Sequence, residues 1–587
     1  MTKAASAAFF CACVGHDVDP VNSPNPALVT QRGARRLPRL ALLIFCAAYV
    51  LPGVFDRDPW RNADLVAFGQ MAAIAEGRSS WLTPMLGGVP GDAALLPQWL
   101  GAAFILLLSP LVSADVAARL PFALLLALTL ALVWYTTLHL ARTEAAQPLA
   151  FAFGGEADPV DYARAIADGA LLALIATLGL LQLGHETTPE LAQLFGVSLF
   201  LLALAAAPFR HWQPRLSAVA ALAVLACSGA PSMAVAIGLG GALVCWRSSY
   251  AEVRRLVPWV LGSTLLAAAL ATALGAWHVR TAPVRAGDLL PIARQWAWFL
   301  WPAWPLVLWT LWRWRHHLLH RHLSVPLVTV LVAMAANVAM NGSDRALMLA
   351  LPGMAVLAAF ALPTLKRSTA AAIDWFSMFF FTVCAVTIWV VYAAMQTGIP
   401  AKPAANVTRL LPGYVPEFDV VELLLAALAT LAWLWLVRWR TGRHREAVWK
   451  SMVLPSGGVA LCWLLLMTLW LPALDYARSS RTLVQRVAEH VPRGACIAVP
   501  AGSPSMVAAL EVFGRYRVDA TAAAAALPAP GCNFSLRVLR AREAPPATAG
   551  WLLVAAVRRP TDRGEITAIY RRRSPDQAVA SAVAAVR

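Results

Sequence analysis

Five carboxylates and three arginines, Asp56, Asp58, Asp64, Glu76 and Asp92 with Arg57, Arg61 and Arg78, fall within about forty residues of a chain that is otherwise mostly hydrocarbon. Carboxylates at this density, beside cations and next to apolar segments, supply what group transfer needs. One carboxylate takes a proton from an incoming hydroxyl, and guanidinium groups neutralise a departing phosphate. The stretch runs Phe55-Asp-Arg-Asp-Pro-Trp-Arg-Asn-Ala-Asp64 and continues through Trp81-Leu-Thr-Pro84 to Asp92. Asn62 to Ala75 carries Leu65, Phe68, Met71 and Ala75 on one stripe and reads as a short helix lying on a membrane surface, with Asp64 in its first turn where the positive helix end favours a carboxylate. A solvated loop whose charges only keep it out of a bilayer is the bland alternative for any single carboxylate.

The elements that must position this loop are membrane helices. The chain has 587 residues, of which 59% are hydrophobic and 13% charged, with a mean hydropathy of +0.63. Its apolar runs repeatedly reach the ~18 to 20 residues that cross ~30 Å of hydrocarbon. The fold class is therefore an all-α polytopic membrane protein with a small C-terminal soluble α/β domain. The net charge of +17 lies in short basic loops beside apolar segments, as the positive-inside bias predicts, so nucleic acid is not expected as a partner. Nine cysteines show no CxxC or His/Cys ligand spacing. Cys496 and Cys532 alone lie in the polar C-terminal region and can pair if it faces an oxidising compartment.

Along the chain, residues 1–36 form a tail that leads into the Arg32, Arg35, Arg36, Arg39 cluster, which holds the first span with its N-terminus inside. Residues 37–473 form the membrane domain, with the acidic loop 55–93 outside, and 474–587 form the external α/β domain. Fourteen apolar segments can be counted. The basic clusters at 247–255, 313–322, 366–367 and 438–450 require an odd number, so thirteen helices are expected, with the surplus between 94 and 208. His185 and Glu186, His278 and Arg280, Asp344 and Arg345, and Lys402 and Arg409 all end spans on the side of the acidic loop. Helix ends explain each singly. Their shared side suits an anionic, lipid-anchored substrate. The tryptophans from Trp296 to Trp314 read as an interfacial belt or as a lipid or sugar groove. In the C-terminal region, 495–499, 551–557 and 566–570 read as strands and 482–491 and 505–513 as helices, with no phosphate loop or nucleophile elbow.

Asp58-Pro-Trp-Arg61, Phe68-Gly69, Trp81-Leu-Thr-Pro84, Asp344-Arg345 with Leu351-Pro352, Asp374-Trp375-Phe376, and Thr397-Gly-Ile-Pro400 with Leu411-Pro-Gly413 occur in this order. In that order the chain resembles the C-type glycosyltransferases, nearest the bacterial aminoarabinose (lipid A) transferases and the protein O-mannosyltransferases. The resemblance implies a bacterial inner-membrane enzyme with a periplasmic C-terminal domain. Such an enzyme moves a sugar from a polyprenyl-phosphate donor to lipid A, another glycolipid or glycan, or a protein, with inversion. It implies Asp64, then Asp58 and Asp92, as catalytic carboxylates, and Trp60, Arg61, His185, Glu186, His278 and Arg345 as substrate contacts. No cofactor is demanded; His185, Glu186 and His278 leave room for a divalent metal, although no spacing requires one. The chain departs from the pattern at Ala63, where the family's loop carries the first acid of an adjacent pair. It departs again at Gly88-Val-Pro-Gly-Asp92, which lacks the loop lysine, and at Cys227-Ser228-Gly229. These departures keep a second reading open, a non-catalytic or transport-type binder of lipid-linked sugars.

Overall fold

The computed structural model describes residues 27–91, 94–149, 151, 154–277, 281–442, 447–500, 502–521, 531–548 and 550–573. Asp92, His278 and Arg280 lie outside the described residues. The protein is a polytopic helical membrane protein capped at one end by a small mixed sheet. Seven helices among the described residues are long and apolar enough to cross a bilayer: Ala114–Ala141, Pro189–Ala206, Ala251–Ala273, Arg321–Ala339, Arg367–Thr397, Val420–Thr441 and Val448–Leu469. The other expected spans are shorter or broken. Leu95–Leu108 has 14 residues, which at 1.5 Å per residue reach only ~21 Å. The tryptophan segment is two 11-residue helices, Leu289–Phe299 and Ala303–Arg313, either side of Trp301-Pro302. A further apolar segment breaks at Thr177 between Pro159–Ala176 and Leu178–Leu183. Apolar composition marks these segments correctly, but it does not register where a proline or a turn interrupts the helix.

Burial separates the helices into an inner and an outer set. Pro189–Ala206 and Val448–Leu469 are 78% buried over their apolar windows, whereas Val420–Thr441 is 11% buried and Arg367–Thr397 is 28% buried. The outer pair exposes Trp375, Phe379, Val383, Leu424, Leu428 and Trp435, which face hydrocarbon in a membrane. At the far end of the bundle from the acidic loop, Asp168 fixes the start of the first helix, Arg39–Val50: it accepts from the Leu37 amide at 2.8 Å and from Trp134 Nε1 at 2.8 Å.

The helix Ala63–Ala75 is not a one-faced surface helix. All residues from Asp64 to Ile74 except Val66 are buried. One side packs on the helices Leu95–Leu108 and Ala114–Ala141, and the other receives the helix Pro504–Gly514 of the C-terminal domain. Glycines make this double contact feasible. A Cβ at Gly69 would come within 3.1 Å of Ala508 Cβ, and one at Gly101 within 2.3 Å of Met71 Sδ. The apolar positions divide between two layers, Ala67, Phe68, Met71 and Ala72 packing on the membrane core and Leu65 on the C-terminal domain, and Gly69 lets the second layer come close.

After the helix Leu471–Arg478 the chain forms a five-stranded sheet of order β4-β3-β5-β7-β6. Its strands are β3 (Cys496–Ala498), β4 (Arg517–Asp519), β5 (Phe534–Arg540), β6 (Trp551–Val557) and β7 (Glu565–Arg572). β3 pairs in parallel with β4 and β5, and β5, β7 and β6 are antiparallel. A short hairpin, β1 (Met85–Leu86) with β2 (Val89–Pro90), lies within the acidic loop. The expected helices appear as Arg481–Ala488 and Pro504–Gly514, and Cys496 and Cys532 form the expected disulfide. Since Pro504–Gly514 packs on Ala63–Ala75 and Ala520 donates its amide to Gly87 O at 2.8 Å, the acidic loop and this domain occupy the same end of the bundle.

Candidate active site

The Asp58-Pro-Trp turn is held by residues more than four hundred positions away. Asp475, on the helix that follows the last span, accepts from the Asp58 amide at 3.0 Å and from Trp60 Nε1 at 2.7 Å. Asp58 in turn is clamped by Arg481, whose Nε lies 2.9 Å from Oδ2 and Nη2 2.5 Å from Oδ1, and it accepts from Ser479 Oγ at 2.8 Å. Burial pushes the Asp475 carboxyl up to about 6, and the nearby Asp58 charge adds to it against the two donors. Asp58 is therefore a joint between loop and domain.

Four residues on, the chain enters Ala63–Ala75 through Asn62, whose backbone at φ 74°, ψ −130° is sparsely populated for any residue but glycine. The Asn62 amide donates to Ser505 Oγ at 2.9 Å, which fixes that geometry. The turn delivers Asp64 to the centre of the site, where it is 2% exposed. Thr187 donates its amide and its hydroxyl to Asp64 Oδ1, each at 2.8 Å, while Oδ2 accepts from the Trp60 amide at 3.1 Å and from Arg57 Nη2 at 3.3 Å. Burial alone would raise this carboxyl; the Arg57 and Arg119 guanidiniums and the Thr187 donors reverse it and hold Asp64 ionised, below the usual carboxylate range.

The cations here are the unusual feature. Arg57 is 1% exposed, stacks on the Trp60 ring at 4.6 Å, and donates Nη2 to His185 O at 2.8 Å, yet its Nε and Nη1 have no partner. Arg119, on Ala114–Ala141, is 3% exposed; Nη1 reaches Asp115 at 3.1 Å and Val54 O at 3.3 Å, and Nη2 has no partner. A buried N–H left unpaired costs about 1–3 kcal/mol, more when it is charged. Arg119 also lines a small cavity of about 10 Å³, room for a single water, with Val50, Val54, Phe122, Gly184, His185 and Thr187. Donors of this kind, next to a cavity, are ready for an anion.

The loop of residues 184–190 closes the site from the other side. Glu186 accepts from Gln182 Nε2 at 2.9 Å and from Arg345 Nη2 at 2.5 Å, and Arg345 Nη1 also reaches Thr188 Oγ1 at 2.8 Å and Glu190 at 3.1 Å. Burial, reinforced by the Asp64 charge, raises the Glu186 carboxyl against the pull of Arg345. Arg345 is thus spent on two carboxylates. His185 sets Nδ1 2.7 Å from Leu181 O and Nε2 2.8 Å from Tyr49 O, between the Tyr49 and Trp463 rings. Both ring nitrogens thus face carbonyl oxygens, and no group of three or more His, Cys, Asp or Glu among the described residues is gathered to hold a metal. Burial drops the His185 pKa to about 4. The unfolded chain then takes up this proton first, so the stability at this site is full above the ordinary 6.5 and is lost as pH falls toward 4. Thermal unfolding across that window should show a smaller loss in His185→Gln than in the parent; identical pH slopes would contradict the assignment.

Of the residues expected from sequence, Trp60, Asp64, His185, Glu186 and Arg345 come together, with Asp58 one joint away. Arg61 turns outward, 47% exposed, toward Asp562 of the C-terminal domain at 3.5 Å. Arg119, Thr187, Asp475, Arg478 and Arg481 join them from outside the residues expected from sequence. Arg478 packs its guanidinium over the Trp60 ring at 4.7 Å and donates to Gln182 Oε1 at 2.7 Å. A lone arginine inside an apolar segment is itself a signal, and it singles out Arg119.

Beside the site lies an apolar groove of about 320 Å³ between Arg367–Thr397 and Val448–Leu469, lined by Leu178, Leu181, Phe380, Ile388, Cys462 and Leu466 among others. Leu181 and Leu466 also pack on the cluster of Trp60, Trp463, Met467 and Leu471. The groove therefore abuts the Trp60 turn.

No family model matches the sequence, and no curated protein does. Solved structures do. The crystal structure of ArnT from Cupriavidus metallidurans bound to undecaprenyl phosphate superposes with a TM-score of 0.56 at 13% identity, covering 90% of this chain and 97% of that one. The apo form of the same protein gives 0.55 at 15% identity, covering 90% and 96%. This chain has the ArnT fold. The likeness extends over nearly the whole of both chains, so it includes the membrane bundle and the C-terminal domain together.

Proposed function

We propose that the protein is a membrane glycosyltransferase that moves a sugar from a polyprenyl-phosphate donor to a hydroxyl acceptor at the face bearing the acidic loop, with inversion at the anomeric carbon. The observation that carries this reading is the pair of buried guanidiniums, Arg57 and Arg119, with unpaired N–H groups beside an ionised Asp64. The adjoining groove suits an isoprenoid tail, and the ArnT structure of the same fold was solved with undecaprenyl phosphate.

In the reaction, the acceptor oxygen bonds to the anomeric carbon as the bond from that carbon to the phosphate oxygen breaks. The electron pair leaves with the phosphate, whose growing charge Arg57 and Arg119 meet with N–H groups already in place. Asp64 receives the acceptor proton. All four of its lone-pair directions are occupied, but the Thr187 hydroxyl can rotate away and hand its position on Oδ1 to the acceptor hydroxyl. Asp58 and Arg481 hold the turn, and Trp60, flanked by Arg57 and Arg478, closes the site toward the groove. The face is the periplasmic one if the basic clusters remain in the cytoplasm.

The same saturation of Asp64 favours a second reading, a binder of lipid-linked sugars that performs no transfer. Both readings require recognition of the phosphate. Purified protein in neutral detergent should bind polyprenyl phosphate at least about tenfold more tightly than the matching polyprenol, as a charge-assisted contact to buried donors demands. Equal affinities would remove the basis of both.

A further inference from the structure

A second cationic cleft lies outside the site just described, between the acidic loop and the C-terminal domain. It is open, about 90 Å³ in volume, and is lined by Arg61 and Asn62 of the loop, by Ser503 and Ser505 at the start of Pro504–Gly514, and by Arg558, Arg559, Asp562 and Glu565 of the β6–β7 hairpin. Arg559 is 8% exposed, and only its Nη2 is engaged, with Asp562 at 2.9 Å; its Nε and Nη1 have no partner. Burial, and after it the neighbouring Arg61, lowers the pKa of this guanidinium against the pull of Asp562 and Glu565. Asp562 serves Arg559 and Arg61 together, which leaves the cleft with more cation than anion. The 11-residue helix, capped by Ser503 through the Met506 amide at 3.3 Å, points its positive end into the same space.

We propose that this cleft is an oxyanion site that binds a phosphate group, held by Arg558, Arg559 and Arg61 at the start of Pro504–Gly514. Two planar guanidiniums from one hairpin and one from the loop can grip a tetrahedral oxyanion from different directions, and hydroxyls of Ser503 and Ser505 stand at the helix end to share it. A bound phosphate bridges loop and domain, because its ligands come from both. The site takes either a soluble phosphate or the headgroup of an anionic lipid, since both present the same oxygens. It is separate from the Arg57 and Arg119 donors and does not depend on the transferase reading.

The test follows amide exchange over residues 505–510 and 558–567 in the full-length protein in neutral detergent, as inorganic phosphate is titrated at low ionic strength. Phosphate should slow exchange in both segments. Arg559→Gln should abolish the response, and Arg558→Gln, at an exposed position that folding tolerates, should weaken it by about tenfold. Asp562→Asn should strengthen it, because it removes the carboxylate that competes for the guanidiniums. Arg57→Gln should leave it unchanged, which keeps the outcome distinct from that of the buried site. In nanodiscs without added phosphate, slowing with phosphatidic acid but not with phosphatidylcholine assigns a lipid headgroup. Slowing only with inorganic phosphate assigns a soluble group. Slowing with neither overturns the site, as does a response that Arg558→Gln leaves intact and Asp562→Asn weakens, the pattern of a purely structural ion-pair network.

Discussion

Asp64→Asn is expected to lower the rate of sugar transfer by a factor on the order of 10² to 10⁴ while the protein stays folded. The amide keeps the size of the carboxylate and one acceptor oxygen, so the Thr187 contacts at 2.8 Å can persist on Oδ1. The proton affinity is lost, and so is the negative charge beside Arg57. The amide nitrogen also faces the Trp60 amide and the Arg57 guanidinium, two donors it cannot accept, which adds a stability cost of about 1–3 kcal/mol. The two effects separate experimentally. A folding defect lowers the active fraction and leaves the rate per folded molecule intact, whereas loss of the base lowers that rate. Asp58→Asn should behave differently: it breaks the bidentate clamp with Arg481 and loosens the loop on the domain. If Asp58→Asn abolishes transfer per folded molecule while Asp64→Asn does not, the catalytic assignment moves to the Pro-Trp turn.

The second large effect concerns the paired guanidiniums. Arg57→Gln and Arg119→Gln should each weaken binding of polyprenyl phosphate by about tenfold or more, since each removes a charged donor from a buried site. Binding of the uncharged polyprenol should be unaffected by either. The two arginines bear on the same carboxylate, Asp64, and the double variant should therefore fall short of the product of the single effects. Arg345→Gln provides the contrast. Its guanidinium is committed to Glu186 and Glu190, so its loss should destabilise the 184–190 loop more than it weakens phosphate binding. A phosphate affinity that depends on Arg345 and not on Arg57 or Arg119 would relocate the site.

The difference between Arg57 and Arg345 shows where reading the sequence stops. The charge-rich loop, the turn at Asp58-Pro-Trp and the convergence of His185, Glu186 and Arg345 with it follow from residue types and from the alternation of basic loops. Which cation is free for a ligand does not, because that depends on partners brought by the fold. Arg345 meets two carboxylates, whereas Arg57 and Arg119 are left with unpaired N–H groups. The pairings of Trp60 with Asp475 and of Asp58 with Arg481 span more than four hundred residues, beyond any local periodicity. The same limit applied to the sheet. β6 and β7 read as alternating runs, but β4 is only three residues long, and β5 is not among the expected strands although Phe534, Leu536 and Val538 are spaced by two. In the membrane, composition identified the apolar segments and could not tell a helix that spans from one that breaks at Trp301-Pro302 or ends after 14 residues.

The most direct test of the central claim is the release of polyprenyl phosphate by purified protein in nanodiscs supplied with polyprenyl-phosphate-linked sugars and a crude acceptor fraction from bacterial envelopes. The account predicts acceptor-dependent release by the parent protein, and release per folded molecule reduced by a factor on the order of 10² or more in Asp64→Asn. Tight binding of the donors with no release under any acceptor, or release that Asp64→Asn leaves unchanged, would contradict it.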